Sequence, residues 1–493
     1  MSGTPAGSEL PSLKPNELVA RGRALPARFL LTLQVMSLGE GAAKPETSVV
    51  RVDQVLRLLP GRRLVARVEV AGKPLLLKLF LGSGSHRYRR REIKGCRVLA
   101  AAGVNTPRVL AEVADSEGQM LGILFEFIES ALPVVDNQLD QVVAAAVEMA
   151  GLHDFGAWHG DLHLDNFLHQ DEGDDDRIYL VDGDGVRAGR RRPLDIAASI
   201  ENLAVLCAQR RPLLDGQLNE VLGAYAQARG WPAVGREFAA RLAALGKATH
   251  RQRRRRVRRY LRKTQRDCSE FYCRRDLRRY FVCLREGMND AFERFAREPE
   301  YYFEGAEILK DGNSATVFRT RIGERVCIVK RYNIKGFWHG LRRIFKPRAR
   351  FRLAWCNGQR LHFLGIPTAR PVALLERRIG PLRGVAYLVM EDAGREDLSG
   401  RASGGGLSDE QVAGVVRLFS ALKAAGLTHG DTKASNFLVS QNQVALVDLD
   451  AMHEDVAGLA RDIDRFLANW PDQPELRERF RLRFVEARLP VLD

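Results

Sequence analysis

The sequence predicts two α+β domains in tandem, each a small strand-rich lobe followed by a helical one. Three observations predict it. Short strand-like runs give way to helical periodicity twice along the 493 residues, in the same order. Each round reaches a polar loop, HGDLHLDNFL from His159 and HGDTKASNFL from His429, and the two loops start 270 positions apart. After each loop comes a short apolar strand that ends in aspartate, IYLVD and VALVD. Self-similarity at that distance marks a duplicated domain.

Residues 1 to about 45 are rich in Pro, Gly, Ser and Ala and read as a loose leader. A first domain is expected over 46–265. From Val55 the runs VLRLLP, LVARVEVAG and KPLLLKLF, broken by PGRR and AGK, read as strands joined by turns. A helix is predicted near 88–102, strands near 107–113 and 121–128, and a buried helix over 139–153. Helices dominate from 193 to about 262, where Ile196, Ile200 and Leu203 share one face. Residues 266–300 read as a linker, with 269–285 open between a hairpin and a helix. In the second domain, 301–493, the strands AEILK, ATVFRTRI and RVCIVKRY precede a helix near 349–364. The strands PVALLERR and VAYLVME and a helix near 409–425 follow.

Hydrophobic residues make up 45% of the chain and charged residues 28%, enough apolar material for sizeable cores. No run approaches the roughly 18 apolar residues of a membrane span. FLLTLQVM from Phe29 is too short and too late for a secretory signal, so a cytoplasmic location is expected. The seven cysteines are scattered without a CxxC pair, which reads as reduced thiols rather than a zinc site.

Phosphoryl transfer from ATP needs few groups, in a fixed order along the chain. A strand lysine holds phosphates, and a loop carboxylate orients the attacking hydroxyl and takes its proton. An amide and a second carboxylate hold Mg²⁺. In the first half these are Lys78, Asp161, Asn166 and Asp182; in the second, Lys330, Asp431, Asn436 and Asp448. Five residues separate Asp from Asn in both loops, which lets one loop aim the base outward and the amide back toward the metal. The strand-end aspartate follows sixteen residues later in the first half, where the acidic insert DEGDDD lengthens a hairpin, and twelve later in the second. The alternative, that these polar residues merely cap turns, does not explain two copies with the same lysine and aspartate on either side.

On these residues the chain resembles the lipopolysaccharide kinases, the Kdo and heptose kinase group of the protein-kinase-like fold. HGDLHLDNFL with LVDGD, and HGDTKASNFL with LVDLD, look like that group's catalytic and metal-binding loops. RARFRLAWCNGQRLHFLGIPTARPVALLE is similar to the helix-and-strand segment of its core heptose kinases. The resemblance implies ATP and Mg²⁺ as cofactors and a sugar hydroxyl of the lipopolysaccharide core, or of its lipid-anchored precursor, as acceptor. It also implies a helix glutamate fixing the phosphate lysine. Glu92, fourteen residues after Lys78, fills that place, whereas the second half has only Ala354 or Trp355 there. Glycine-rich loops are reduced to Gly61 in PGRR and Gly312 in DGNSATV. Only 45 residues follow Asp448, so the second helical lobe is short and the first constellation is the more complete. Two rivals remain: a kinase of a small soluble hydroxyl compound such as an aminoglycoside, and a partly inactive scaffold for core-assembly enzymes.

The formal charge of +16 is concentrated. Residues 251–285 carry 15 Lys or Arg against 3 acids. Such a block suits an anionic surface. Arg253, Arg254, Arg255, Arg256, Arg258 and Arg259 read as a surface anchor for the inner face of the inner membrane, because the segment shows no two-faced apolar pattern. Nucleic acid is disfavoured, since no aromatic platform accompanies the charge.

Overall fold

The computed structural model describes residues 10–22, 24–37, 45–118, 120–171, 176–189, 192–333, 349–379, 382–394, 396–440, 443–455 and 457–492. Most of the acidic insert after Asp171 lies outside them. The chain divides into two compact units, Met1–Arg210 with Gly216–Thr249, and Arg211–Asp215 with His250–Asp493. Both mix helices and strands, as expected.

In the first unit, helix α1 (Pro15–Arg21) precedes strands β1 (Phe29–Ser37), β2 (Glu46–Leu59), β3 (Arg63–Val70) and β4 (Lys73–Leu81). Helix α2 (Ser85–Ala101) leads to β5 (Val109–Ala114) and β6 (Met120–Glu126). These six strands close into a barrel in the order β1-β2-β3-β4-β6-β5, because β1 pairs with both β2 and β5. The leader therefore does not stay loose throughout. Phe29, Leu31 and Leu33 alternate into the barrel and are fully buried, a period-two pattern that Leu30 partly masks. Along β4, Leu77 and Leu79 fill the barrel while Lys78 and Phe80 face outward and are also buried. Phe80 packs with Ile93 and Cys96 of α2, which explains why this strand reads as continuously apolar.

The remainder of the unit is mainly helical, with short strand pairs around the polar loop. Helix α3 (Leu139–Asp154), β7 (Leu132–Pro133), β8 (Ala157–His159), β9 (Phe167–Asp171), β10 (Asp176–Leu180) and β11 (Val186–Ala188) frame that loop. Helices α4 (Ile196–Cys207), α5 (Leu218–Ala228) and the first part of α6 (Gly235–Lys263) complete it. Val142, Met149, Leu203, Leu222 and Tyr225 form its core.

In the second unit the predicted linker is built into the fold. Strands β12 (Phe271–Arg275) and β13 (Arg279–Leu284) form a hairpin, followed by α7 (Asp290–Arg297). Phe271, Phe281, Val282 and Leu284 are too apolar to be left in a connector, and the sheet buries them. Strands β14 (Glu307–Asp311), β15 (Ala315–Ile322), β16 (Arg325–Tyr332), β17 (Pro371–Ile379) and β18 (Leu382–Glu391) join that hairpin in one seven-stranded sheet, ordered β12-β13-β17-β18-β16-β15-β14. Helix α8 (Arg350–Phe363) lies between β16 and β17 in sequence. The helical part, α9 (Leu398–Gly405), α10 (Asp409–Ala425), α11 (Gly458–Leu467) and α12 (Pro474–Glu486), packs around Phe419, Phe437, Phe466 and Phe484.

The arginine-rich end of α6 departs from expectation. Arg253, Val257, Tyr260 and Thr264 stand three or four residues apart and turn inward. Arg253 is buried on the Asp215 carboxylate at 2.6 and 2.7 Å. Tyr260 stacks on Phe363 at 4.5 Å, and the Arg256 guanidinium lies over the same ring. Burial and the neighbouring Arg253 and Arg259 lower the pKa of Arg256 to about 10. Arg254 pairs with Glu454. Of the six expected anchor residues, Arg253 and Arg256 are thus engaged in packing, and Arg254 is exposed but ion-paired. Arg255, Arg258, Arg259 and Arg262 remain as an exposed stripe.

Candidate active sites

In the first unit β4 carries Lys78 opposite Val65 of β3 and Ile123 of β6. Its ammonium meets Glu92 Oε2 at 2.6 Å and Asp182 Oδ1 at 2.7 Å. Glu92 comes from α2 and also accepts hydrogen bonds from the backbone N–H groups of Gly183 and Asp184, both 3.1 Å long. Helix and turn approach backbone to backbone. A Cβ on Gly95 would sit 1.8 Å from the Gly183 carbonyl oxygen, so only glycine fits there. Asp182 adopts φ +70°, a left-handed conformation costly for a non-glycine residue.

Burial would raise the Asp182 pKa, but the Lys78 ammonium and Arg63 guanidinium overcome it and hold the carboxyl at about 2. Burial raises Glu92, against the pull of Lys78. Asp161 stands at the loop tip with its side chain 63% exposed and His163 Nε2 at 3.2 Å. Asn166 gives its amide nitrogen to the Asp161 carbonyl at 2.9 Å, which leaves the amide oxygen available to a cation. His159 is kept neutral by burial. Its Nδ1 faces the Asp161 N–H and its Nε2 the Asp182 carbonyl, so the imidazole ties both loops together.

The second unit repeats the plan. Lys330 of β16 lies opposite Val317 of β15, in the register of Lys78. Its ammonium meets Asp448 Oδ1 at 2.6 Å, and Asp448 has φ +58°. Burial would raise the Asp448 pKa, but Lys330 lowers it below the usual carboxylate range. His429, neutral through burial, bridges the Asp431 N–H and the Val447 carbonyl. Asn436 donates to the Asp431 carbonyl at 2.8 Å.

Each unit holds a cleft at these residues, about 780 Å³ in the first and about 500 Å³ in the second. The first brings together Lys78, Glu92, Asp161, Asn166 and Asp182. Gly61 is not on its wall, and Arg63 from the same turn reaches Asp182 instead, at 3.6 Å. The second cleft brings together Gly312, Lys330, Asn436 and Asp448, whereas Asp431 is not on the wall. The Asp431 carboxylate lies near Lys433 at 3.6 Å and Arg465 at 3.9 Å.

Sequence reasoning missed the apolar slot beside each lysine: Val65, Leu76, Leu168 and Val181 in one cleft, Val317, Ile328, Leu438 and Val447 in the other. These occupy matching places relative to the lysine, asparagine and aspartate. It also missed Asn202 and Asp462, which hold the backbones of His159 and His429 from helices α4 and α11. In GLARDIDRFL, Asp462 shares a helix face with Leu459, Ile463 and Phe466, and a carboxylate on that apolar face was the available signal. Missed too was Asp450, whose Oδ2 lies 3.1 Å from the Lys330 ammonium.

A carboxylate and an amide oxygen beside an ammonium in each cleft form a hard-oxygen set. Mg²⁺ accepts such a set while keeping waters and phosphate oxygens as its other ligands, so the residues present fit that ion.

Residues 307–479 match the model of the lipopolysaccharide kinase (Kdo/WaaP) family. Over that span the chain is similar to the family. The matched span lies in the second unit and contains Lys330, Asp431, Asn436 and Asp448. A solved structure described as "WaaP in complex with acyl carrier protein" is similar at 23% identity over 41% of this chain and 87% of that one, with a TM-score of 0.32. No curated protein matches. Among the described residues no helix is long and apolar enough to cross a membrane.

Proposed function

We propose that the chain is a tandem pair of protein-kinase-like domains that bind ATP and Mg²⁺ and phosphorylate a sugar hydroxyl, a heptose, of the lipopolysaccharide inner core. The observation that carries this reading is the buried lysine–aspartate pair, at 2.7 and 2.6 Å, set against a loop asparagine in both clefts. The apolar slots suit a purine, and the lysines suit the α- and β-phosphates. Asn166 with Asp182, and Asn436 with Asp448, would hold Mg²⁺, which offsets the charge on the transferred phosphoryl group. Asp161, and Asp431 in the second copy, would orient the acceptor hydroxyl and take its proton. Asp161 stands open enough for a bulky acceptor to reach it.

The reading places the protein at the cytoplasmic face of the inner membrane, where core assembly presents a lipid-anchored, phosphorylated acceptor. Its support is the arginine stripe 255/258/259/262, each residue worth about 1 kcal/mol beside an anionic leaflet.

The decisive experiment is mass spectrometry of core oligosaccharide from cells lacking the protein, with in vitro transfer from labelled ATP to that core. Loss of a phosphate on heptose, restored by wild type with Mg²⁺ but not with chelator present, is the expected result. An unchanged phosphate pattern, with no transfer in vitro, would overturn the reading.

A further inference from the structure

We infer that Asp450 is the lysine-positioning carboxylate of the second cleft, doing from the metal loop what Glu92 does from a helix in the first. The inference rests on the nucleotide-site reading of that cleft.

A buried ammonium needs carboxylate partners. Lys330 is only 9% exposed and its helix offers none: Ala354 of α8 lines the cleft there. Asp450 supplies the second carboxylate, itself almost fully buried. Tyr332 donates its hydroxyl to Asp450 Oδ1 at 2.8 Å, and Arg350 lies 3.0 Å from Oδ2. Asp450 sits two residues after the metal carboxylate Asp448, as Asp184 follows Asp182. Asp184, however, is held by Arg63 at 3.7 Å and Arg91 at 2.8 Å, and no contact joins it to Lys78 among the described residues.

The strand registers show what accompanies the exchange. Two residues before the valine opposite each lysine stand Arg63 in the first unit and Ala315 in the second. Two residues after each lysine stand Phe80 and Tyr332. The second unit therefore lacks the arginine that holds the loop aspartate away, gains a hydroxyl that holds it in, and drops the helix glutamate. Three separate elements changed in the one direction that moves the anchoring charge onto the loop. Helix α8 keeps its hold on that loop by other means, since Asn357 donates to the carbonyls of Leu449 and Met452 at 3.0 and 2.9 Å. The missing helix glutamate, which suggested a weakened second copy, is thereby accounted for.

The test uses the full chain with the first cleft disabled by Lys78→Met and Asp161→Asn. Binding of a fluorescent ATP analogue with Mg²⁺ is then measured for Asp450→Asn, Lys330→Met and the two combined. Asp450→Asn is expected to weaken binding about tenfold or more, the usual effect of losing a group that orients a site. The double variant should be no weaker than Lys330→Met alone, because the aspartate acts through the lysine. Tyr332→Phe, which spares lysine and both carboxylates, should give a smaller loss in the same direction and decides the matter if Asp450→Asn fails to fold. Binding within twofold of the parent for both Asp450→Asn and Tyr332→Phe overturns the inference, as do losses that add to that of Lys330→Met. If Lys330→Met itself leaves binding unchanged, the nucleotide reading of the cleft falls instead.

Discussion

The strand-rich parts of the two units share a five-strand sequence of neighbours and differ in what is added to it. The order β2-β3-β4-β6-β5 in the first matches β14-β15-β16-β18-β17 in the second. In the first, β1 bridges the two outer strands and closes a barrel; in the second, the hairpin β12-β13 extends one side. The lysine sits on the central strand of the five in both, opposite a valine. Additions at the margins leave it undisturbed. Position is fixed by the inner strands, whereas the identity of the lysine's partners depends on side chains from a helix, a turn and a neighbouring strand.

The sharpest way to break this comparison is at the proposed bases. Asp161→Asn is expected to lower phosphoryl transfer by about 10²- to 10⁴-fold, equal to about 3–5 kcal/mol of barrier, with ATP binding unchanged. Asp431→Asn should do the same for transfer by the second unit. A transfer assay in which only one substitution matters would show that the units are not equivalent catalysts.

Next comes the helix anchor. Glu92→Gln leaves Lys78 buried against Asp182 alone, and breaking such a pair costs about 3–5 kcal/mol. Denaturant unfolding should show that loss, while Ala354→Ser, at the corresponding place in the second unit, should cost little. Comparable losses would mean that the helix position matters in both.

A somewhat smaller effect tests the barrel. Leu31→Ala on β1 removes a fully buried side chain and should destabilise the first unit by about 2–5 kcal/mol. No change in its unfolding midpoint would return β1 to the loose leader that composition suggested.

The smallest effect lies in acid. Asp182 is held at about 2, below the unfolded value near 3.9, so its stabilisation is complete above about pH 4 and is lost as pH falls toward 2. Asp448 is shifted the same way. Each aspartate-to-asparagine variant should therefore show a flatter decline in stability between pH 4 and 2, measured by acid titration of the unfolding midpoint. Equal flattening in a variant remote from either lysine would remove these pairs as the cause.

Much of this was legible in the sequence because its signals are local. HGD with asparagine five residues on, a lysine inside an apolar strand and an aspartate at a strand end each announce themselves within ten residues. The β14-to-β18 strands and helices α2, α3 and α10 fall where periodicity placed them. What stayed hidden depends on distant partners. Arg253 reads as surface charge until Asp215, 38 residues earlier, is beside it. LVDGD and LVDLD look alike, and only Arg63, Arg91 and Tyr332 decide which way the last aspartate turns. Phe29, Leu31 and Leu33 become a strand because β2 pairs with them, while β5, far downstream, pairs with the end of the same strand from Gln34 to Ser37.

The contrast between closed and open sheets also bears on how each unit meets other chains while it folds. A closed barrel leaves no row of unpaired backbone groups for a stranger to zip onto. The seven-stranded sheet ends in β14 on one side and β12 on the other, and both are defended. Strand β14 is exposed along its whole length, carries Glu307, Lys310 and Asp311, and is kinked by a bulge between Ile308 and Lys310. Strand β12 presents Arg274 and Arg275 at its exposed end. Charge and irregularity at these borders serve as insulation against self-association, which the six-stranded barrel obtains from topology alone.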